Sequence, residues 1–154
     1  MLEIATRMLG SERTTFEGSW ASAINAPAEP KGYPGHQIPI VVGGNGQNVT
    51  WRLAAKYADE LNLDGPTVDE VRAWLPIIRE RCAEIDRDPA TLRVTAQMWW
   101  NRPGTQDRSR VEQLQELREL GLSHVFSDLP GASDSDDPFL VFADDCRAAG
   151  YELN

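Results

Sequence analysis

Apolar positions along this chain recur with two different periods, and the changes between them outline its elements. Residues 2–9 (LEIATRML) read as the tail of a helix, with Gly10 as its C′ residue. Residues 13–24 carry β-prone side chains on both sides of Gly18 and predict a small hairpin. Residues 25–37 hold Pro27, Pro30, Gly32, Pro34 and Gly35, which predicts a loop. Ile38, Ile40, Val41 and Val42 then form a β-branched run too short for an ordinary helix. Gly43-Gly44-Asn45-Gly46 interrupts it, and Val49, Leu53, Tyr57 and Ala58 fall on one side of a following helix. A second strand is expected at 61–63.

The same alternation continues to the end of the chain. Thr67 and Glu70 spell a capping box, opening a helix with Val71, Trp74, Leu75, Ile78, Cys82 and Ile85 at helical spacing. Pro76 lies inside it, where proline costs about 3 kcal/mol and bends the axis. The helix is expected to end at 86–89. Residues 92–100 alternate strictly, with Leu92, Val94, Ala96, Met98 and Trp100 against Arg93, Thr95, Gln97 and Trp99, as a strand with two distinct faces does. A loop at 101–107 leads to a second capping box, Ser109 with Glu112, and a helix to about Leu120 with Val111, Leu114 and Leu117 inward. Residues 122–127 form the fourth strand and 128–137 an acidic loop. Asp137 is the expected cap of a last helix over 139–149, with Pro138 at its first position and Gly150 at its end.

The count is four strands, each followed by a helix, behind a helix tail and a hairpin. Such alternation implies an α/β fold with a parallel sheet. Residues 1–37 and 38–150 divide accordingly, within one domain over 1–154. If every helix lies on one face, the other face and two strand edges are left bare, although parallel sheets are normally covered on both sides. The expectation is therefore a homo-oligomer, most simply a dimer closing edge to edge about a twofold axis. The rival topology is a doubly wound open sheet with helices on both faces.

The glycine-rich turn is the stretch with chemistry in it. Three glycines in four positions after a strand and before a helix let the backbone approach a ligand, and they point N–H groups and a helix N-terminus at one spot, which favours an anion and phosphate above all. The other reading is a tight βα turn and nothing more, since the motif is neither GxGxxG nor GxxxxGK[ST]. Thr50 and Asn48 can donate side-chain hydrogen bonds there; Asn45 or Asn48 can instead cap the helix. Arg52 can reach a bound phosphate or pair with an acid such as Asp59. Gln97 and Trp99 are candidates to point into a barrel interior, or packing residues near a loop. Trp20 and Tyr33 can cover a ligand edge or bury against the wall.

Composition narrows the partners. A formal net charge of −9 argues against nucleic acid and anionic membranes, so a bound phosphate would rely on local backbone donors. Cys82 and Cys146 form no CxxC pair and are expected as reduced thiols in a cytoplasmic protein. His36 and His124 have no metal-ligand spacing, and no metal site is expected. The first residues lack the charged-then-apolar pattern of a signal peptide, and no run is long enough to span a membrane.

PIVVGGNG, then TWRLAAKYAD, then LNL, together with FEGSW upstream and CAEIDRDP downstream, resembles the luciferase-like monooxygenase family. The likeness covers nearly the whole chain and corresponds to the C-terminal half of that family's TIM barrel. A full barrel takes about 250 residues, so the resemblance implies a (βα)4 half barrel completed by oligomerisation. It also implies FMN or an 8-hydroxy-5-deazaflavin as cofactor, its phosphate held at Gly43, Gly44, Asn45 and Gly46 with Thr50 and Arg52 nearby, and flavin-type hydride transfer or oxygenation as the parent chemistry. The family's proton donors and most of its substrate contacts come from its N-terminal half, so no catalytic residue is expected in this chain alone. The alternatives are a non-enzymatic subunit that associates with itself or with an N-terminal-half partner, or a truncated gene remnant.

Overall fold

The computed structural model describes residues 1–10, 12–29, 38–100, 103 and 107–152. The readings that involve Tyr33, His36, Asn101 and residues 30–37 of the expected 25–37 loop lie outside them. Helix α1 (Leu2–Gly10) precedes a two-stranded antiparallel sheet, β1 (Arg13–Glu17) and β2 (Ser22–Pro27). The main body follows: β3 (Val41–Gly43), α2 (Thr50–Tyr57), β4 (Glu60–Asp64), α3 (Val68–Ala83), a 3-10 turn at Pro89–Thr91, β5 (Arg93–Met98), α4 (Arg110–Glu119), β6 (Val125–Ser127) and α5 (Asp137–Ala148).

The four later strands form one parallel sheet in the order β3-β4-β5-β6, the order of the chain. A doubly wound sheet would reverse direction at some strand; this one does not. Right-handed crossovers along an unreversed parallel sheet put every helix on the same side. Successive helices accordingly pack as neighbours, α2 on α3, α3 on α4 and α4 on α5. The result is an α/β half barrel preceded by a helix and a hairpin.

Strand alternation gives the sheet two unlike faces. Toward the helices it sends Leu61, Leu63, Ala96 and Met98, all almost wholly buried, with Val42, Val94 and Val125 packed against them. Trp51, Val71, Ile78, Cys82 and Leu117 complete this core from the helices, and Trp51 meets Trp74 with ring centroids 5.7 Å apart. The opposite face carries Val41 and Gly43, then Glu60, Asn62 and Asp64, then Arg93, Thr95 and Gln97, with Phe126 in register beside Gln97. A smaller cluster of Leu114, Cys146 and Ala149 joins α4 to α5, supported by Trp100 and Tyr151.

Several boundaries depart from the sequence reading for identifiable reasons. Gly10 closes α1 as a helical residue and does not take a left-handed C′ conformation. Asn25, Ala26 and Pro27 belong to β2, because Thr14 pairs with Ala26 and Arg13 with Pro27; Arg13 also bonds the Asn25 side chain and carbonyl. Ile38 and Ile40 lie outside β3, and the Ile40 N–H goes to the Asp59 carboxylate at 2.7 Å. The buried face of α2 is Trp51, Ala54, Ala55 and Ala58, whereas Val49 and Leu53 are exposed: small residues let the helix lie close to the sheet. Ile85 is likewise exposed. The fourth strand is only Val125–Ser127, and α5 begins at Asp137 with Asp136 as N-cap, putting Pro138 second. Trp20 is fully exposed and does not bury against the wall.

Both capping boxes form as expected, Thr67 with Glu70 and Ser109 with Glu112. Pro76 is carried inside α3 without ending it. The C-terminus of α2 is closed from a distance: Arg87 Nη1 donates to the carbonyls of Ala55 and Ala58 at 2.8 Å each and to that of Ala54 at 3.3 Å. No helix among the described residues is long and apolar enough to cross a membrane.

Replacing Leu61 by Ala should lower unfolding free energy by about 2–5 kcal/mol, since it opens a cavity in the core. Ile85→Ala should cost less than about 1 kcal/mol despite its helical spacing with the core positions; urea denaturation of both variants checks the assignment. The single Tyr151 O–H is shared between the Leu122 carbonyl at 3.1 Å and the Leu114 carbonyl at 3.3 Å, and burial, with the nearby Cys146 thiol second, pushes its pKa up to about 12. A raised folded-state pKa means this contribution is complete below the ordinary value near 10 and is lost as pH rises from about 10 to 12. Absorbance titration of the phenolates should show one late-titrating tyrosine that Tyr151→Phe removes.

Candidate functional site

The C-terminal end of β3 runs straight into the glycine turn. Gly43 is still strand, paired with Asn62 of β4. Gly44 extends that ladder by one bond, its N–H reaching the Asn62 carbonyl at 2.9 Å, and then turns away at φ +121°, a region L side chains rarely occupy. Its own carbonyl accepts from the buried Trp51 indole N–H at 3.1 Å. The Gly46 carbonyl accepts from the Trp51 backbone N–H at 3.0 Å, and a Cβ on Gly46 would stand 2.6 Å from Thr50 Oγ1. One tryptophan thus fastens the turn at two points while its ring is locked in the core.

Asn45 is committed elsewhere than the sequence reading placed it. Its amide donates to the Asp64 carbonyl at 2.7 Å and its oxygen accepts from the Asp64 N–H at 2.9 Å, so it fastens the turn to the end of β4. Neither Asn45 nor Asn48 caps α2. The N-cap is Val49, and no side chain bonds there, unlike the capping boxes of α3 and α4. The first N–H groups of a helix have no intrahelical acceptor, and here the helix brings no side chain of its own to satisfy them.

Beside the turn lies a cleft of about 470 Å³ lined by Gly43, Gly44, Asn62, Asp64, Gln97 and Trp99. Trp99 is half-exposed and packs closely on Gly65, where a Cβ would meet the indole at 2.7 Å; Gly65 adopts φ +57°. Gln97 donates to Asp128 at 3.3 Å. Below Asn62 a polar chain runs across the sheet: Asn62 Nδ2 to Thr95 Oγ1 at 2.9 Å, then Thr95 Oγ1 to Glu60 at 2.8 Å, with Arg93 3.5 Å from Glu60. A larger cavity, about 660 Å³, sits at the other end of β5 among Asp59, Arg79 and residues 89–94. Parallel α/β sheets place their sites at the carboxyl ends of strands, which favours the smaller cleft.

The structure brings Gly43, Gly44, Asn45, Gly46 and Thr50 together around this turn and leaves Arg52 apart. The Arg52 guanidinium forms a two-bond fork with Glu84, at 2.8 and 3.0 Å, and a third bond to the Asn48 carbonyl. Its acid is therefore Glu84 and not Asp59; the same bond raises the Arg52 pKa and, with Arg81, lowers that of Glu84. Of the strand residues, Gln97 and Trp99 both reach the cleft, while Trp100 packs on Phe142. Asn62 and Asp64 were passed over in the sequence, although the polar positions of ELNLD mark the face that carries them. No lysine or arginine is among the residues lining the cleft. An anion held there depends on backbone N–H groups.

Comparison with known proteins agrees with this architecture. A tetrahydromethanopterin reductase dependent on coenzyme F420, from Methanopyrus kandleri, superposes with a TM-score of 0.53 at 20% identity, over 62% of this chain and 27% of that one. An F420-dependent secondary alcohol dehydrogenase, solved with an F420-acetone adduct, superposes with a TM-score of 0.56 at 16% identity, over 97% of this chain and 52% of that one. At these identities the likeness is one of fold, and the chain spans about half or less of each relative's length. No curated protein matches the sequence. The profile of the luciferase-like monooxygenases matches residues 1–100, and the chain belongs to that family.

Proposed function

We propose that this chain carries the phosphate cradle of a flavin- or deazaflavin-dependent oxidoreductase. The observation behind the proposal is the clamped glycine turn. Its backbone is fixed at Gly44 and Gly46 by Trp51 and at Asn45 by Asp64, and it leads into a helix start with no side-chain cap. Such an arrangement matches a phosphate, whose oxygens accept from backbone N–H groups with no help from a basic field. Gly46 is needed by the turn itself, because a side chain there would collide with Thr50. Both structural relatives use F420, and FMN has a related tricyclic ring on a like phosphoribityl chain. When bound, the cofactor supplies hydride transfer. This chain's residues hold its phosphate and shape the cleft beside it, and no group here is assigned a proton-transfer role.

A second reading, association without catalysis, draws on the face opposite the helices. Val41 and Phe126, on the two edge strands, are about half exposed there, and Trp99 is equally open. A second copy placed about a twofold axis would set its β6 beside β3 and its β3 beside β6, covering these residues and removing both edges.

Fluorescence titration should show saturable binding of F420 or FMN, with the phosphate-free form of the same ring (riboflavin for FMN, the 8-hydroxy-5-deazariboflavin for F420) binding at least about tenfold more weakly, ~1.4 kcal/mol. Gly44→Val, which forces a β-branched residue to φ +121°, should abolish the preference for the phosphorylated form. Absence of binding by both cofactors at high micromolar concentration would end the proposal. Light scattering at micromolar protein should give twice the chain mass; a folded monomer would refute the dimer.

A further inference from the structure

We propose that Asn62 is a specificity residue of the cleft, accepting a hydrogen bond through its Oδ1 from a hydroxyl of the cofactor's ribityl chain. The inference rests on the reading of the glycine turn as the phosphate cradle and adds a residue to it.

The orientation of the Asn62 amide follows from counting protons. Glu60 as a carboxylate only accepts, and Arg93 lies beside it at 3.5 Å. Thr95 Oγ1, 2.8 Å from Glu60 Oε1, must therefore spend its single proton there. That leaves the Thr95 oxygen as an acceptor toward Asn62 at 2.9 Å, and only the NH₂ end of the amide can donate to it. Thr95 is fully buried, so no solvent competes for the hydroxyl. The carbonyl end of the Asn62 side chain is thereby turned away from Thr95, and among the described residues it has no hydrogen-bond donor. Asn62 lines the cleft.

Position then selects the ligand group. Asn62 is in register with Gly43, and its backbone carbonyl holds the Gly44 N–H. Its side chain therefore stands about one strand spacing, ~4.8 Å, from the strand that delivers the turn. From a phosphate held at the turn, that distance reaches the carbon chain next to the phosphate and falls short of the ring. The chain in FMN and in F420 is a polyol, rich in O–H donors, and Asn62 offers an acceptor whose direction is set before the ligand arrives. Asp64 lies two residues further along the same face and lines the same cleft, which adds acceptors and further favours a donor-rich, uncharged chain at this level.

The test uses whichever of FMN and F420 the protein binds more tightly, together with an analogue that keeps the ring and phosphate but has a phosphopentyl chain without hydroxyls. Wild type should prefer the natural cofactor by about tenfold, the worth of one well-oriented hydrogen bond. Asn62→Ala should lose most of that preference by weakening the natural cofactor and leaving the analogue nearly unchanged. Thr95→Val, close to isosteric, frees the amide to rotate and should lose part of it; thermal melts establish that each variant is folded. Equal binding of cofactor and analogue by wild type overturns the role of Asn62 while leaving the cradle intact. A preference that survives in the folded variants does the same. Failure of the preference for the phosphorylated cofactor over the phosphate-free form of the same ring overturns the cradle itself.

Discussion

The structure depends on the placement of one indole. Trp51 is wholly buried between α2 and α3, and its ring N–H cannot remain unsatisfied there without a penalty of about 1–3 kcal/mol. The acceptor it finds is the Gly44 carbonyl. Core packing and turn geometry are therefore one constraint: the ring cannot keep its hydrogen bond unless the glycine turn bends as it does, and the turn cannot drift without unseating the ring. A loop at the carboxyl end of the sheet is held to the rigidity of the core beneath it. That is the condition a backbone cradle needs if it is to present N–H groups to an anion without reorganising.

The second organising fact is the contrast between the sheet's two faces. Helix-facing positions are small or aliphatic and sealed; the other face holds Glu60, Asn62, Asp64, Arg93, Thr95 and Gln97, joined partly to one another. A surface exposed only to water would have no need to bury a threonine hydroxyl completely. This face is built like the interior wall of a larger barrel, with polar groups preassigned to partners and a cleft at the carboxyl ends of its strands.

Much of this was legible in the residues. The period of 2 at 92–100 and the two capping boxes fixed where strands and helices lie, because alternation and N-terminal caps are local properties. The parallel sheet followed from strands alternating with helices; its chain order followed from the family resemblance, because a doubly wound sheet shows the same alternation. What could not be read locally was which side of α2 is buried. Val49 and Leu53 made the larger apolar stripe, but Trp51 with three alanines permits a closer approach to β3 and β4, and tertiary packing decided the matter. The side-chain partners of Arg52 and Asn45 were hidden for a related reason. Their partners, Glu84 and Asp64, come from elements brought near only by the fold. Asn62 went unnoticed because a single amide in a five-residue strand has no signature until its neighbours across the sheet are known.

Arg87 gives α2 an unusual dependence. A helix of eight residues is too short to persist by its own hydrogen bonds, and here three carbonyls near its C-terminal end, those of Ala54, Ala55 and Ala58, share one guanidinium that also bonds Thr91 through its side chain and carbonyl. Fraying of the helix end and release of the segment that enters β5 are consequently a single event. The stretch carrying the glycine turn and the stretch leading to Gln97 and Trp99 belong to the same cooperative unit, so the two walls of the cleft open or stay closed together.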